Sequence, residues 1–162
     1  MRDVILYMSM SLDGFVGSDR AHPGVAIPEG DELKQWKLDH VNKAGAHLMG
    51  RVTYQQMSSY WPRSDDPYAT PMNEIPKVVF SKTLTDAEAT WPDTRVARDD
   101  LATEIAAIKA EPGPDVIVWG GGRFAGALAA ADLIDEYRLL VQPLALGRGR
   151  GLYDQQIGRA HV

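Results

Sequence analysis

Short β-rich runs alternate with helical patterns along nearly the whole chain, and that rhythm admits few architectures. The runs VILYMSM at 4–10, AHLMG at 46–50, KVVFS at 77–81, TRVA at 94–97, DVIVW at 115–119 and EYRLLVQPL at 136–144 read as strands. Helical segments stand between them. DELKQWKLDHVNKAG sets Leu33, Trp36, Lys37 and Val41 near helical spacing, opens with acids that suit the helix dipole and closes on Gly45. RVTYQQMSSYW must end before Pro62, DDLATEIAAIKAEPG starts on an Asp and stops at Pro-Gly, and FAGALAAAD follows three glycines. A loop rich in Pro and Gly runs from Gly17 to Gly30. This alternation predicts an α/β fold with a largely parallel sheet sandwiched between helices. With 162 residues and no repeat, linker or low-complexity segment, one domain is expected.

Composition excludes several functions. A net charge of -5 argues against a nucleic-acid binder, whose footprint would be basic. The chain has no cysteine, which removes disulfides, thiolate metal sites and cysteine nucleophiles. The apolar run in MRDVILYMSMSLDG is too short for a secretory core or a membrane span, so a cytoplasmic location is the default. His22, His40 and His47 lack metal-like spacing and read as surface or capping residues, and no metal is expected. There is no Walker pattern and no Gly-x-Ser-x-Gly elbow.

Residues 116–133, VIVWGGGRFAGALAAADL, place Gly120, Gly121 and Gly122 between an apolar strand and an alanine-rich helix. Two readings stay open: a tight turn, or a row of bare N–H groups that binds an anion at a helix start. Residues 120–125 match a loose dinucleotide fingerprint, but too little chain follows for a second mononucleotide half. Two other strand ends carry suitable chemistry. LMGRVTY offers Gly50, Arg51 and Thr53 at a helix N-terminus, and VFSKTL ends a strand with Ser81 and Lys82. Three such segments after three strands agree with ligand binding beyond the carboxyl ends of an α/β sheet.

MSLDGFVG, LMGRVTY, VFSKTL, WGGGRFAGAL and LIDEYRLLVQPLALGRG occur in the order and approximate spacing of the dihydrofolate-reductase-like superfamily. They most resemble its branch related to the reductase domain of the bifunctional riboflavin-biosynthesis deaminase-reductase. The resemblance implies a three-layer α/β/α sandwich, mostly parallel with an antiparallel C-terminal edge, and a reductase that uses NADPH. It also implies roles. Gly50, Arg51 and Thr53 would hold cofactor phosphates, Ser81 and Lys82 the adenosine 2′-phosphate side, and Gly120, Gly121, Gly122, Arg123 and Phe124 the pyrophosphate. Met8, Ser9, Val16 and Gly17 would border the nicotinamide.

The same resemblance places Asp135 and Glu136 near the substrate and implies reduction of a small heterocyclic or ribosylamino-pyrimidine compound. Asp13 is the first candidate to bind or protonate it, with Asp31 and Glu32 second. Trp36, Tyr54 and Trp61 could line a flat-ligand pocket or fill the core. Dihydrofolate reduction proper and a non-catalytic NADPH-binding protein of the same fold are the alternatives. Relatives are frequently dimers, an association no pattern here fixes. The last six residues, IGRAHV, correspond to the opening of a widely used sequencing adapter whose next codon in frame is a stop. The expectation is therefore a domain spanning 1–156, with a reading frame that natively continues past about Gln156 into a further strand.

Overall fold

The computed structural model describes residues 1–17 and 30–154; most of the Pro- and Gly-rich loop, with His22, and the IGRAHV terminus lie outside the described residues. Strand β1 (Val4–Ser11) leads through β2 (Phe15–Gly17) to α1 (Asp31–Val41). Then follow β3 (Ala46–Gly50), α2 (Arg51–Tyr60), α3 (Ala69–Glu74), β4 (Lys77–Phe80) and β5 (Thr94–Ala97). The chain ends with α4 (Leu101–Ala110), β6 (Val116–Trp119), α5 (Gly122–Ala130), β7 (Glu136–Gln142) and β8 (Arg150–Gly151). Six strands form one sheet in the order β5-β4-β3-β6-β1-β7, and every neighbouring pair is parallel. Antiparallel pairing lies in a separate small sheet, where β2 meets β8.

Side chains alternate across the sheet and feed two cores. Val4, Leu6, Leu48, Val78, Val116 and Val118 pack with Ile105 and Ile108 of α4 and Leu128 of α5. On the opposite face Met49 and Val79 join Val41 of α1, Tyr54 of α2 and Met72 of α3. Both faces are covered, which is why the central strands read as continuous apolar runs. The three-layer α/β/α sandwich follows directly.

Helix termini obey local chemistry. Asp100 caps α4, its carboxylate accepting the Thr103 amide at 3.0 Å. A 3-10 turn, Trp61–Arg63, carries Pro62 and ends α2. Sequence periodicity gave no sign of α3, which has only six residues, or of the two-residue β8.

The amino ends of the strands are clasped by acids. Asp135 accepts the Val4 amide at 2.8 Å and both its oxygens lie 2.6 Å from Lys109 Nζ, while Asp115 accepts the Asp3 amide at 2.8 Å. Glu136, paired with Ile5 at the start of β7, is at this same end and is tied to Arg138. The expected substrate role for Asp135 and Glu136 is thereby corrected. Parallel strands put them at the sheet edge opposite the carboxyl ends.

Tyr54 is also corrected. It is 2% exposed, its ring packs beside Trp91, and its hydroxyl accepts the Trp91 amide at 3.0 Å. It holds a core together instead of lining a pocket. Tyr54→Phe should strand that buried N–H and cost about 1–3 kcal/mol in urea unfolding. Unchanged stability would mean that another acceptor reaches the amide.

Candidate active site

Helices connecting parallel strands point their N-termini toward the strands' carboxyl ends, so any anion site must be sought there. Because β3 and β6 are neighbours, α2 and α5 begin side by side. Their N-caps are Gly50 and Gly121. Glycine suits the close packing here. A Cβ on Gly50 would lie 3.2 Å from Phe124 Cβ, one on Gly121 3.1 Å from Thr53 Oγ1, and one on Gly120 2.4 Å from Met8 Cε. On Gly122 it would collide with the aliphatic stem of Arg150 at 2.6 Å.

The expected cofactor residues therefore converge, though several do structural work as well. Thr53 is 7% exposed and its hydroxyl reaches the Gly120 carbonyl at 3.4 Å. Phe124 packs its ring against Phe80 and can offer a ligand its backbone amide. Arg51 crosses from α2 to the loop after β4, donating to Thr83 Oγ1 at 2.5 Å. Ser81 Oγ accepts the amides of Thr83 and Leu84 and so shapes that loop, and Lys82 beside it is exposed. Arg123 is exposed in the first turn of α5, and Gly17 pairs with Arg150 in the small sheet.

Next to these helix starts is a cleft of about 360 Å³ lined by Met8, Ser9, Val16, Gly120, Tyr7 and Trp119, with Lys37, Met57 and Leu140 completing it. Trp36, 40% exposed on α1, stands behind this wall and stacks on Tyr7 at 6.2 Å. Trp61 packs between Tyr60 and Tyr68 elsewhere. A larger groove, about 670 Å³, opens at the amino ends of β3, β4 and β5 around Arg2, Lys77 and Trp91. Among the described residues no connecting helix presents its N-terminus there, so the smaller cleft is the ligand candidate.

Asp13 does not line the cleft, and its carboxylate is engaged within the fold. Its carboxylate accepts from Ser11 Oγ at 2.6 Å and from the amides of Leu146 and Gly147 at 3.0 and 2.7 Å. These bonds, the Ser11 hydroxyl foremost, lower its pKa to about 2. It remains ionised and pins the β1–β2 turn, where Gly14 adopts φ +90°, to the C-terminal loop. Asp31 and Glu32 are exposed in the first turn of α1 and do not line the cleft.

His47 overturns the expectation of a surface or capping histidine: it is fully buried in β3. Its Nε2 faces the Pro71 carbonyl at 3.1 Å, and its Nδ1 accepts the indole N–H of Trp119 at 3.0 Å. Burial, aided by nearby Lys77, lowers its pKa to about 4 against the hydrogen bond to Pro71. A histidine inside an otherwise apolar strand was the available signal. Trp119, Thr83 and Arg150 had none beyond position.

A family model described as RibD C-terminal domain matches residues 2–160. The chain belongs to this family. Its fold is that of RibD-like proteins, with a dihydrofolate-reductase-type sheet. It is 26% identical over 157 residues to the uncharacterized protein YyaP of Bacillus subtilis, spanning 94% of this chain and 80% of that protein. Among solved structures it resembles a putative riboflavin biosynthesis protein from Shewanella sp. PV-4, with a TM-score of 0.73, 24% identity, and coverage of 94% of this chain and 82% of that one. It also resembles the diaminohydroxyphosphoribosylaminopyrimidine deaminase/5-amino-6-(5-phosphoribosylamino)uracil reductase of Thermotoga maritima, at TM-score 0.62 and 16% identity. That match covers 95% of this chain and 48% of the Thermotoga one. Among the described residues no group of three acids or histidines could hold a metal, and no helix is long and apolar enough to cross a membrane.

Two outcomes follow from the charges. His47 titrates near 6.5 when unfolded and near 4 when folded, so its contribution is present above pH 6.5 and is lost as pH falls through 4. The difference between the stability–pH curves of wild type and His47→Gln should therefore shrink on acidification by roughly 3 kcal/mol between pH 7 and 4; parallel curves would refute it. Asp13→Asn, which gives up an acceptor, should speed amide exchange at Leu146 and Gly147 without changing exchange in β3 or β6.

Proposed function

We propose that this chain is a cytoplasmic NADPH-dependent reductase that passes hydride to a small heterocyclic or ribosylamino-pyrimidine substrate. The nearest named reaction is reduction of 5-amino-6-(5-phosphoribosylamino)uracil. The observation that carries this reading is the pair of glycine-capped helix N-termini abreast of an aromatic-walled cleft. The residues present fit a dinucleotide: the α5 start offers first-turn amides, Arg51 and Lys82 offer cations beside it, and the glycines let backbone approach closely. When bound, the nicotinamide would supply the hydride.

The protein's own contribution is binding and orientation. Amides of Gly122 to Phe124 would meet the pyrophosphate, Arg51 with Ser81 and Lys82 the 2′-phosphate, and Met8, Ser9 and Val16 one wall of the ring site. No carboxylate lines the cleft among the described residues, which weighs against dihydrofolate reduction, a reaction expected to use an acid on the first helix. The same observation supports, as a second reading, a protein that binds NADPH without turning over a substrate.

Tryptophan fluorescence should be quenched on titration with NADPH, at lower concentration than with NADH. Arg51→Ala should weaken NADPH by roughly ten- to a hundredfold and NADH much less, since a charge-assisted contact is lost only with the former. Equal affinity for both nucleotides, unaffected by Arg51→Ala, would remove the phosphate assignment. Binding without oxidation of NADPH by any ribosylamino-pyrimidine or pterin would select the second reading.

A further inference from the structure

Three aromatic contacts run from the surface into the sheet. Trp36 stacks on Tyr7, Tyr7 meets Trp119 edge-on at 5.7 Å, and Trp119 meets His47 at 5.7 Å and 66°. The register explains the alignment. His47 pairs with Ile117, two residues before Trp119, and Trp119 pairs with Tyr7, so all three rings stand on one face of the sheet.

His47 ends this series with both ring nitrogens engaged, by the Trp119 indole and the Pro71 carbonyl. Those partners select a neutral ring with its proton on Nε2, because a proton on Nδ1 would face the indole N–H. Trp119 is only half-buried and forms part of the cleft wall. Without an acceptor beneath it, that N–H is left unpaired unless the ring turns to reach another partner, and any such turn reshapes the cleft wall that Trp119 forms.

We propose that His47 is a positioning residue for the cleft, holding the Trp119 indole in the one orientation that leaves a flat wall beside Tyr7 for a planar ring. The inference rests on the cleft being the ligand site. The lock acts before any ligand arrives, so the ordering cost of the wall is already met in folding. His47 touches no ligand itself; it works through Trp119.

Substitutions separate the two hydrogen bonds. His47→Gln keeps a donor toward Pro71 and lacks the acceptor at the Nδ1 position, whereas His47→Asn keeps that acceptor. The indole N–H resonance of Trp119, identified by its loss in Trp119→Phe, should move and exchange faster with solvent in His47→Gln and return toward its wild-type position in His47→Asn. NADPH affinity, measured by calorimetry, should fall about tenfold in His47→Gln, and that fall should vanish when Trp119 is already Phe. An unmoved Trp119 resonance in a folded His47→Gln protein would overturn the proposal. So would an equal loss of affinity in the Trp119→Phe background, which would mean that His47 acts through general stability. If wild type binds no NADPH, the functional reading fails separately, and the resonance alone decides whether His47 holds the indole.

Discussion

The parallel pairing of β3 with β6 at the centre of the sheet governs most of what this molecule can do. It sets the starts of α2 and α5 beside each other, with Gly50 against Phe124 and Gly121 against Thr53 so close that a Cβ at either glycine would make its neighbour give way by a few tenths of an ångström. Two helix N-termini held together carry partial positive charge of like sign, each roughly half an elementary charge. Arg51 adds a full one nearby. Such an arrangement is electrostatically uncomfortable when empty and favourable around a polyanion, so the packing that closes the sheet also creates the site's preference.

Acidic side chains tie together the amino ends of β1, β6 and β7. At the amino ends, Asp115 and Asp135 accept the first amides of the chain, and the buried Arg2 guanidinium pairs with Glu111 and the Ile108 carbonyl. At the carboxyl ends the start of α5 presents first-turn backbone amides with no side-chain cap. In the turn after β1 the Asp13 carboxylate is consumed by two loop amides and a serine hydroxyl. The acidic clasp on β1 and the candidate cleft thus lie at opposite edges of one sheet.

Much of this was legible in the residues. Continuous apolar runs between helical segments betray strands buried on both faces, and the capping Asp100, the stop at Pro62 and the glycine triplet mark boundaries that the backbone respects. Strand order was not legible, because β6 inserts between β3 and β1 through contacts more than sixty residues apart in sequence. Side-chain roles that depend on strand direction were misjudged for the same reason. Glu136 sits beside motif residues in sequence yet starts a parallel strand, and Tyr54 follows Thr53 yet turns into the other core. An aspartate in an SLDG turn cannot announce that residues 146 and 147 will claim both its oxygens. His47 was misread because hydrogen-bond partners from β6 and the α3 region are invisible to spacing rules.

The place of β1 between β6 and β7 bears on how the chain reaches this state. Among the described residues it finds its sheet partners in β6 and β7, at residues 116–119 and 136–142. During synthesis its apolar strand therefore emerges from the ribosome long before either neighbour exists, and cannot be buried by local pairing. Topologies so dominated by distant contacts close slowly, and the waiting strand is an exposed sticky edge that chaperones recognise. Residues 4–11 therefore stay without these sheet partners until residues 116–142 have been made.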